Sequence, residues 1–149
     1  MQPHSKSIFE RQVAALRITL KQTTDYQSIA QMDSILFSEC YPIDDWSECI
    51  WWIGFHKGTP VAYCGMKVFE GTVYMCRAGV IESAQGNGIQ KKLINKRLEY
   101  AKSLGIDLAI TYTSHDNAAS MNSLIKCGFR PYTPQWAWDG DEFVYWRKT

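Results

Sequence analysis

The chain of 149 residues contains no Gly-Lys-Ser or Gly-Lys-Thr step, so none of its glycine turns closes as a P-loop around a nucleoside triphosphate. It contains no Cys-x-x-Cys pair either. Cys40, Cys49, Cys64, Cys76 and Cys127 are odd in number and widely spaced, which argues against a disulfide framework and against a zinc site, and for a reducing compartment. Charge of one sign is missing too: sixteen Lys and Arg stand against fifteen Asp and Glu, for a net +1. That balance gives no bulk attraction to nucleic acid or membrane, so any anion site must be local. No apolar run approaches a membrane span, and the opening Met1-Gln2-Pro3-His4-Ser5-Lys6-Ser7 lacks the apolar stretch of a signal peptide. A cytoplasmic protein with neither nucleic acid nor membrane as partner is therefore expected. No internal repeat or low-complexity linker divides the chain. With 46% hydrophobic and 13% aromatic residues, it should fold as one domain over residues 1–149.

What is present is an alternation of strand and helix signals. Residues 16–22 alternate apolar and polar, and Thr23-Thr24-Asp25 then offers capping chemistry for a helix to about Cys40, ended by Tyr41-Pro42. Residues 51–55 and 61–69 flank the turn His56-Lys57-Gly58-Thr59-Pro60, and Glu70-Gly71 leads into 72–81, which reads as an antiparallel meander. Ile89, Leu93, Ile94, Leu98 and Ala101 recur at helical spacing before Gly105. A strand at 106–113, a helix at 117–127 closed by Gly128, and extended segments from Phe129 through the turn Asp139-Gly140-Asp141 to 143–147 complete the chain. The order β-α-β-β-β-α-β-α-β-β predicts an α/β (α+β) domain with a mixed sheet.

The segment Gln85-Gly86-Asn87-Gly88-Ile89-Gln90 joins the strand at 73–81 to the helix that begins near Ile89. Two glycines there let the backbone approach a ligand, and the first unpaired amides of the helix make an anion site, as for phosphate. The competing reading is a tight turn with no ligand. Lys91 stands where a dinucleotide fingerprint carries its third glycine, so NAD is not expected. About thirty residues on come Asn117, Ser120, Leu124, Gly128 and Phe129, an Asn that opens a helix and a Gly-Phe that ends it.

Together these two segments resemble the GNAT superfamily of acyl-CoA-dependent N-acyltransferases, over roughly residues 51–129. The resemblance implies a mostly antiparallel sheet of six or seven strands flanked by helices. It implies acetyl-CoA as acyl donor, held by the amides of Gln85, Gly86, Asn87, Gly88, Ile89 and Gln90 at its pyrophosphate and by the strand edge at Ala78, Gly79 and Val80 along its pantetheine arm. Asn117 and Ser120 would contact pantetheine or the adenosine phosphates, although Asn117 reads equally as a helix N-cap. Two departures stand out. Gln90 replaces a small residue, and Leu124 occupies the place where many relatives carry a tyrosine that protonates the departing thiolate, whereas relatives that acetylate protein N-termini can also have Leu there.

The reaction the resemblance implies is direct acetyl transfer to a primary amine, on a small molecule or a protein, with no metal. It needs a base for the amine and a donor for the carbonyl oxygen as it turns negative, for which the Val80 amide is the candidate. Tyr74, Tyr112, His115 and Glu82 are the candidate proton carriers. His115 and Glu82 read equally as plain surface residues, and Tyr74 as core. Arg77 could orient an acidic group or a pantetheine carbonyl. Cys76 has no histidine near it in sequence to serve as a nucleophile's base. Trp136 and Trp138 would share one face of an extended segment, lining an acceptor pocket or a homodimer contact. Lys91, Lys92, Lys96 and Lys126 could meet a 3′-phosphate or simply face solvent. An acyl-CoA-binding regulatory module without catalysis is the alternative of a different class.

Overall fold

The computed structural model describes residues 16–37, 43 and 45–149. Seven strands, β1 (Thr19–Thr23), β2 (Ile50–His56), β3 (Thr59–Phe69), β4 (Thr72–Val80), β5 (Leu108–Ser114), β6 (Arg130–Tyr132) and β7 (Phe143–Lys148), form one sheet in the order β1-β2-β3-β4-β5-β7-β6. Every neighbouring pair is antiparallel except β4 and β5, which run parallel. Helix α1 (Tyr26–Leu36) follows β1, α2 (Ile89–Ser103) links β4 to β5, and α3 (Ala118–Lys126) follows β5. The element order expected from the sequence is the one observed.

Period-two burial explains the layering. On β5, Ala109, Thr111 and Thr113 are buried and the residues between them only partly so. Val73, Met75, Cys64 and Met66 point to one face, where Ile89, Leu93, Ile94 and Ala101 of α2 and Leu124 of α3 pack on them. Trp51, Ile53 and Tyr63 point to the other, under Ile29 of α1. Two short 3-10 turns, Trp46–Glu48 and Glu82–Ala84, precede β2 and follow β4.

Two irregularities in the middle of the sheet shape a site. Cys64 pairs with Ala78 but Met66 with Met75, so Cys76 and Arg77 together oppose the single Gly65. That bulge re-aims the end of β4. Arg97 of α2, itself buried, donates to the Gly65 and Leu93 carbonyls. The β4–β5 ladder then holds only three register pairs, Thr72↔Leu108, Val73↔Ala109 and Tyr74↔Ile110. Beyond Tyr74 the ladder ends and the strands part, with the Thr111 hydroxyl donating to the Met75 carbonyl across them.

Several boundaries differ from expectation. Helix α1 stops at Leu36, where the Phe37 N–H bonds back to the Asp33 carbonyl; Cys40, Tyr41 and Pro42 lie outside the described residues. Strand β1 begins at Thr19 rather than at 16, and β5 at Leu108 rather than 106, because Gly105 (φ 76°) and Ile106 are still closing α2 through bonds to the Lys102 and Ala101 carbonyls. The stretch 133–142 is irregular rather than extended. Trp136 and Trp138 therefore do not share a strand face: Trp136 is 75% exposed, while Trp138 packs on Tyr74 and Tyr145.

Candidate functional site

A cavity of about 620 Å³ opens where β4 and β5 separate. Its floor is the cleft-facing edge of β4. The Ile81 N–H bonds to the Val61 carbonyl, so Gly79, opposite Tyr63, also pairs with β3. By the alternation of an antiparallel ladder, Ala78 and Val80 turn their backbone groups away from β3 toward the gap. The Val80 carbonyl is met there by the Gln85 side-chain amide at 3.0 Å.

One wall is the glycine turn. Gly86 (φ 82°) and Gly88 (φ 73°) are both left-handed, a conformation that costs other residues strain. Among the described residues, no atom beyond each glycine's own chain neighbours lies within 4 Å of a Cβ placed on it, so the space in front of both is open. The Asn87 amide bonds to the Ala84 and Gln85 carbonyls and braces the loop from within. Gly88 caps α2 without a side chain, so the first N–H groups of that helix, at its positive end, are left to meet whatever fills the cavity.

The opposite wall is α3. Asn117 Oδ1 accepts from the Ser120 N–H at 3.1 Å, capping the helix, and both residues line the cavity. Gly128 and Phe129 end α3 by donating to the Ile125 and Leu124 carbonyls, a six-residue closure in which glycine supplies the left-handed step and the following apolar side chain packs inward. Leu124 is 4% exposed and belongs to the core under α2 and α3.

Of the residues expected at the anion and pantetheine sites, Gly79, Val80, Gln85, Gly86, Gly88, Ile89, Gln90, Asn117 and Ser120 line this one cavity; Asn87 braces it instead. Lys91 and Lys126 are at its rim. Sequence reasoning missed Leu36, the last residue of α1, and Phe37 just after it, which also line the cavity. It also missed Ala119, Asn122 and Ser123 of α3; of these, Ser123 stands three residues after Ser120, a spacing that would have indicated it.

Leu36 and Phe37 are held by an ion pair. Arg77 on the β4 bulge bonds Asp33 Oδ2 at 2.8 Å, the Tyr63 hydroxyl donates to Asp33 Oδ1, and the Arg77 guanidinium lies 5.3 Å over the Phe37 ring. Arg77 is thus paired, as its position on a central strand requires.

The four candidate proton carriers do not come together. Tyr74 and Tyr112 stack with ring centroids 6.4 Å apart, joined by Trp138, Phe143 and Tyr145. They lie on the sheet face opposite α2 and α3, beside the mouth of the β4–β5 gap. Burial first, then a hydrogen bond to Asp139, pushes the Tyr112 phenol up to about 12. Burial and the neighbouring Tyr112 raise Tyr74 further still. Asp139 comes from a segment read only as a turn. Its loop is clamped by the Tyr145 hydroxyl, which accepts from the Asp139 N–H and donates to the Gly140 carbonyl. Glu82 and His115 are exposed, and none of the four candidates is among the residues that line the cavity.

A sequence model described as "Acetyltransferase (GNAT) family" matches residues 16–129. The chain is 37% identical over 78 residues to the mycothiol acetyltransferase of Amycolatopsis mediterranei (strain U-32), a match covering 52% of this chain but only 25% of that protein. Among solved structures, an IAA acetyltransferase from Bacillus cereus superposes with a TM-score of 0.72 at 16% identity, covering 89% of this chain and 99% of the other. The ribosomal-protein-S18-alanine N-acetyltransferase of Escherichia coli superposes with a TM-score of 0.72 at 15% identity, covering 89% and 93%. An acetyltransferase of Bacillus subtilis in complex with CoA gives 0.70 at 20% identity, covering 89% and 97%. At such identities these structures bear on the fold alone.

Proposed function

The chain belongs to the acetyltransferase (GNAT) family, and on that premise we propose that it moves the acetyl group of acetyl-CoA directly to a primary amine. The observation that carries this reading is the convergence of three features on one cavity: the cleft-facing edge of β4, the glycine turn at the start of α2, and the capped start of α3. The diphosphate is assigned to the turn and the α2 amides, where fixed partial positive charge and Lys91 favour an anion. The amide-rich pantetheine arm is assigned to β4, whose free backbone groups add to it as an extra strand would.

This assignment puts the thioester near the bulge. The Val80 N–H is the donor to the carbonyl oxygen as it becomes negative. The amine attacks as a free base, the C–N bond forms as the C–S bond breaks, and the CoA thiolate leaves. A thiolate is a good leaving group at neutral pH, so it needs only modest protonation help. We assign that help to Tyr112, since Leu124 is buried in the core and offers no proton.

The test is release of free CoA thiol from acetyl-CoA across a panel of primary amines, with the product identified by mass. Stoichiometric thiol release and acetylated amine for at least one acceptor is the expected result. Tight acetyl-CoA binding with no turnover on any amine, small or peptidyl, would instead make the chain an acyl-CoA-binding regulatory module.

A further inference from the structure

Two thiols unused by this chemistry face each other on the side of the sheet away from α2 and α3. Cys76 lies in the β4 bulge next to Arg77. Cys49 sits at the bend between the turn Trp46–Glu48 and β2, 27 residues earlier. Their Sγ atoms are 2.9 Å apart, within about 1 Å of the disulfide bond length of about 2.0 Å. The other described cysteines have no such pairing: the fully buried Cys64 turns its sulfur to the Leu93 carbonyl, and Cys127 lies at the end of α3.

We propose that Cys49 and Cys76 form a reversible disulfide when the protein meets a peroxide, clamping the segment that leads into β2 onto β4. The two sulfurs are suited to different steps. Cys49 is the more exposed, and its thiolate is favoured by the hydrogen bond from the Cys76 thiol and by the nearby Lys67 ammonium. Cys76 is held protonated by that same bond and by burial. The Cys49 thiolate therefore attacks the peroxide O–O bond, forming a sulfenic acid and releasing hydroxide. Cys76 sulfur then attacks the Cys49 sulfur, the S–O bond breaks, and the Cys76 proton leaves with the hydroxyl as water. Two thiols lose two electrons and two protons, and one peroxide becomes two waters.

The movement that closes the bond falls on Cys49. It lies outside the ladder, whose first β2 residue is Ile50 paired with Met66, whereas Cys76 sits inside β4, in the bulge opposite Gly65 of β3. The segment it belongs to is a single 3-10 turn tethered to β3 by the exposed Glu48–Lys67 pair. Once closed, the bond joins residues 27 apart and restricts the unfolded chain more than the folded one.

The test uses the full chain, reduced, freed of reductant, treated with hydrogen peroxide and then capped with N-ethylmaleimide under denaturing conditions. Peptides analysed without reduction should include one joining Cys49 to Cys76, two hydrogens lighter than its parts and separated by dithiothreitol, with Cys64 and Cys127 capped. The oxidised protein should melt at a higher temperature than the reduced one, and Cys49→Ser should abolish both the cross-link and the increment. In Cys76→Ser, Cys49 should stop at the sulfenic acid and be captured by dimedone. None of these readouts depends on acetyl transfer. Cys49 and Cys76 both left capped after peroxide, Cys49 joined to a different cysteine, Cys49 driven to sulfinic acid without a cross-link, or an oxidised protein that melts no higher would each overturn the proposal.

Discussion

Gly88 combines two demands that a substitution can separate. Its φ of 73° is left-handed, and a Cβ there would project into the cavity without touching the protein. Asparagine tolerates the left-handed region better than other side chains. Gly88→Asn should therefore fold with a loss of about 1 kcal/mol or less in urea titration, while acetyl-CoA affinity by calorimetry drops at least about tenfold, roughly 1.4 kcal/mol. Affinity unchanged beside lost stability would mean the glycine serves the turn alone. Tyr112 gives a second test at this scale. Its phenol is pushed up to about 12 by burial and by the Asp139 hydrogen bond, so it stays protonated across an assay range of about pH 6 to 10. The log of kcat/KM for the amine should rise with pH to a plateau, with no descending limb in that range. Tyr112→Phe should lower kcat about 10- to 100-fold with little change in the KM for acetyl-CoA. A variant within twofold of the parent, or a parent bell with an alkaline limb, would remove Tyr112 as the proton donor. The glycines were legible because positive φ has a sequence signature. Asp139 was not, since its contact with Tyr112 depends on how an irregular loop folds back across the sheet.

Asn117 and Asp33 each tie a helix to the cavity. The Asn117 side chain spends its oxygen on the Ser120 N–H and leaves its amide nitrogen for a ligand, so the cap and contact readings are compatible. Asn117→Ala should cost about 1 kcal/mol of stability and weaken acetyl-CoA binding. Asn117→Asp should keep the cap and still weaken binding, because a carboxylate would face the bound phosphates; equal affinity for the Asp variant and the parent would leave only the cap. Asp33 is 5% exposed and bonds both Arg77 and Tyr63. Asp33→Asn retains an acceptor for Tyr63 but removes the negative charge that Asp33 presents to Arg77. Breaking a buried pair from one side costs about 3 kcal/mol or more, and partial exposure of Arg77 reduces this to about 2 kcal/mol. The same variant should raise the KM for acetyl-CoA, since Leu36 and Phe37 lose their anchor, and an unaltered KM would detach α1 from the site. The starts of these helices were readable from capping residues. The end of α1 was not: the apolar pattern continues past Leu36, and the helix ends at the Phe37 turn with no glycine to announce it. The ends of α2 and α3 carry that signal in Gly105 and Gly128.

At the scale of the whole molecule, the sequence revealed the order of elements and the β2–β3–β4 meander but not the remaining neighbours. That β7 lies between β5 and β6 is a non-local pairing no short pattern encodes, and the β4–β5 gap follows from it together with the bulge at Cys76 and Arg77. The gap makes the cavity, and the cavity exists only in the folded state, because β4, α1, α2 and α3 each contribute a wall. A ligand that fills it must therefore stabilise the fold by mass action. At a hundredfold excess over Kd the gain is about 2.7 kcal/mol, which for a chain of 149 residues raises the melting midpoint by about 5–10 °C. Acetyl-CoA and CoA should both produce this shift. ATP and NAD should not, since each offers phosphates to the α2 amides but no amide-rich arm for the exposed edge of β4, and a net charge of +1 supplies no general attraction for polyanions. Gly88→Asn should lose the shift while keeping most of its own midpoint. A midpoint unmoved by saturating acetyl-CoA, or moved equally by ATP, would show that the three walls do not work as one binding site.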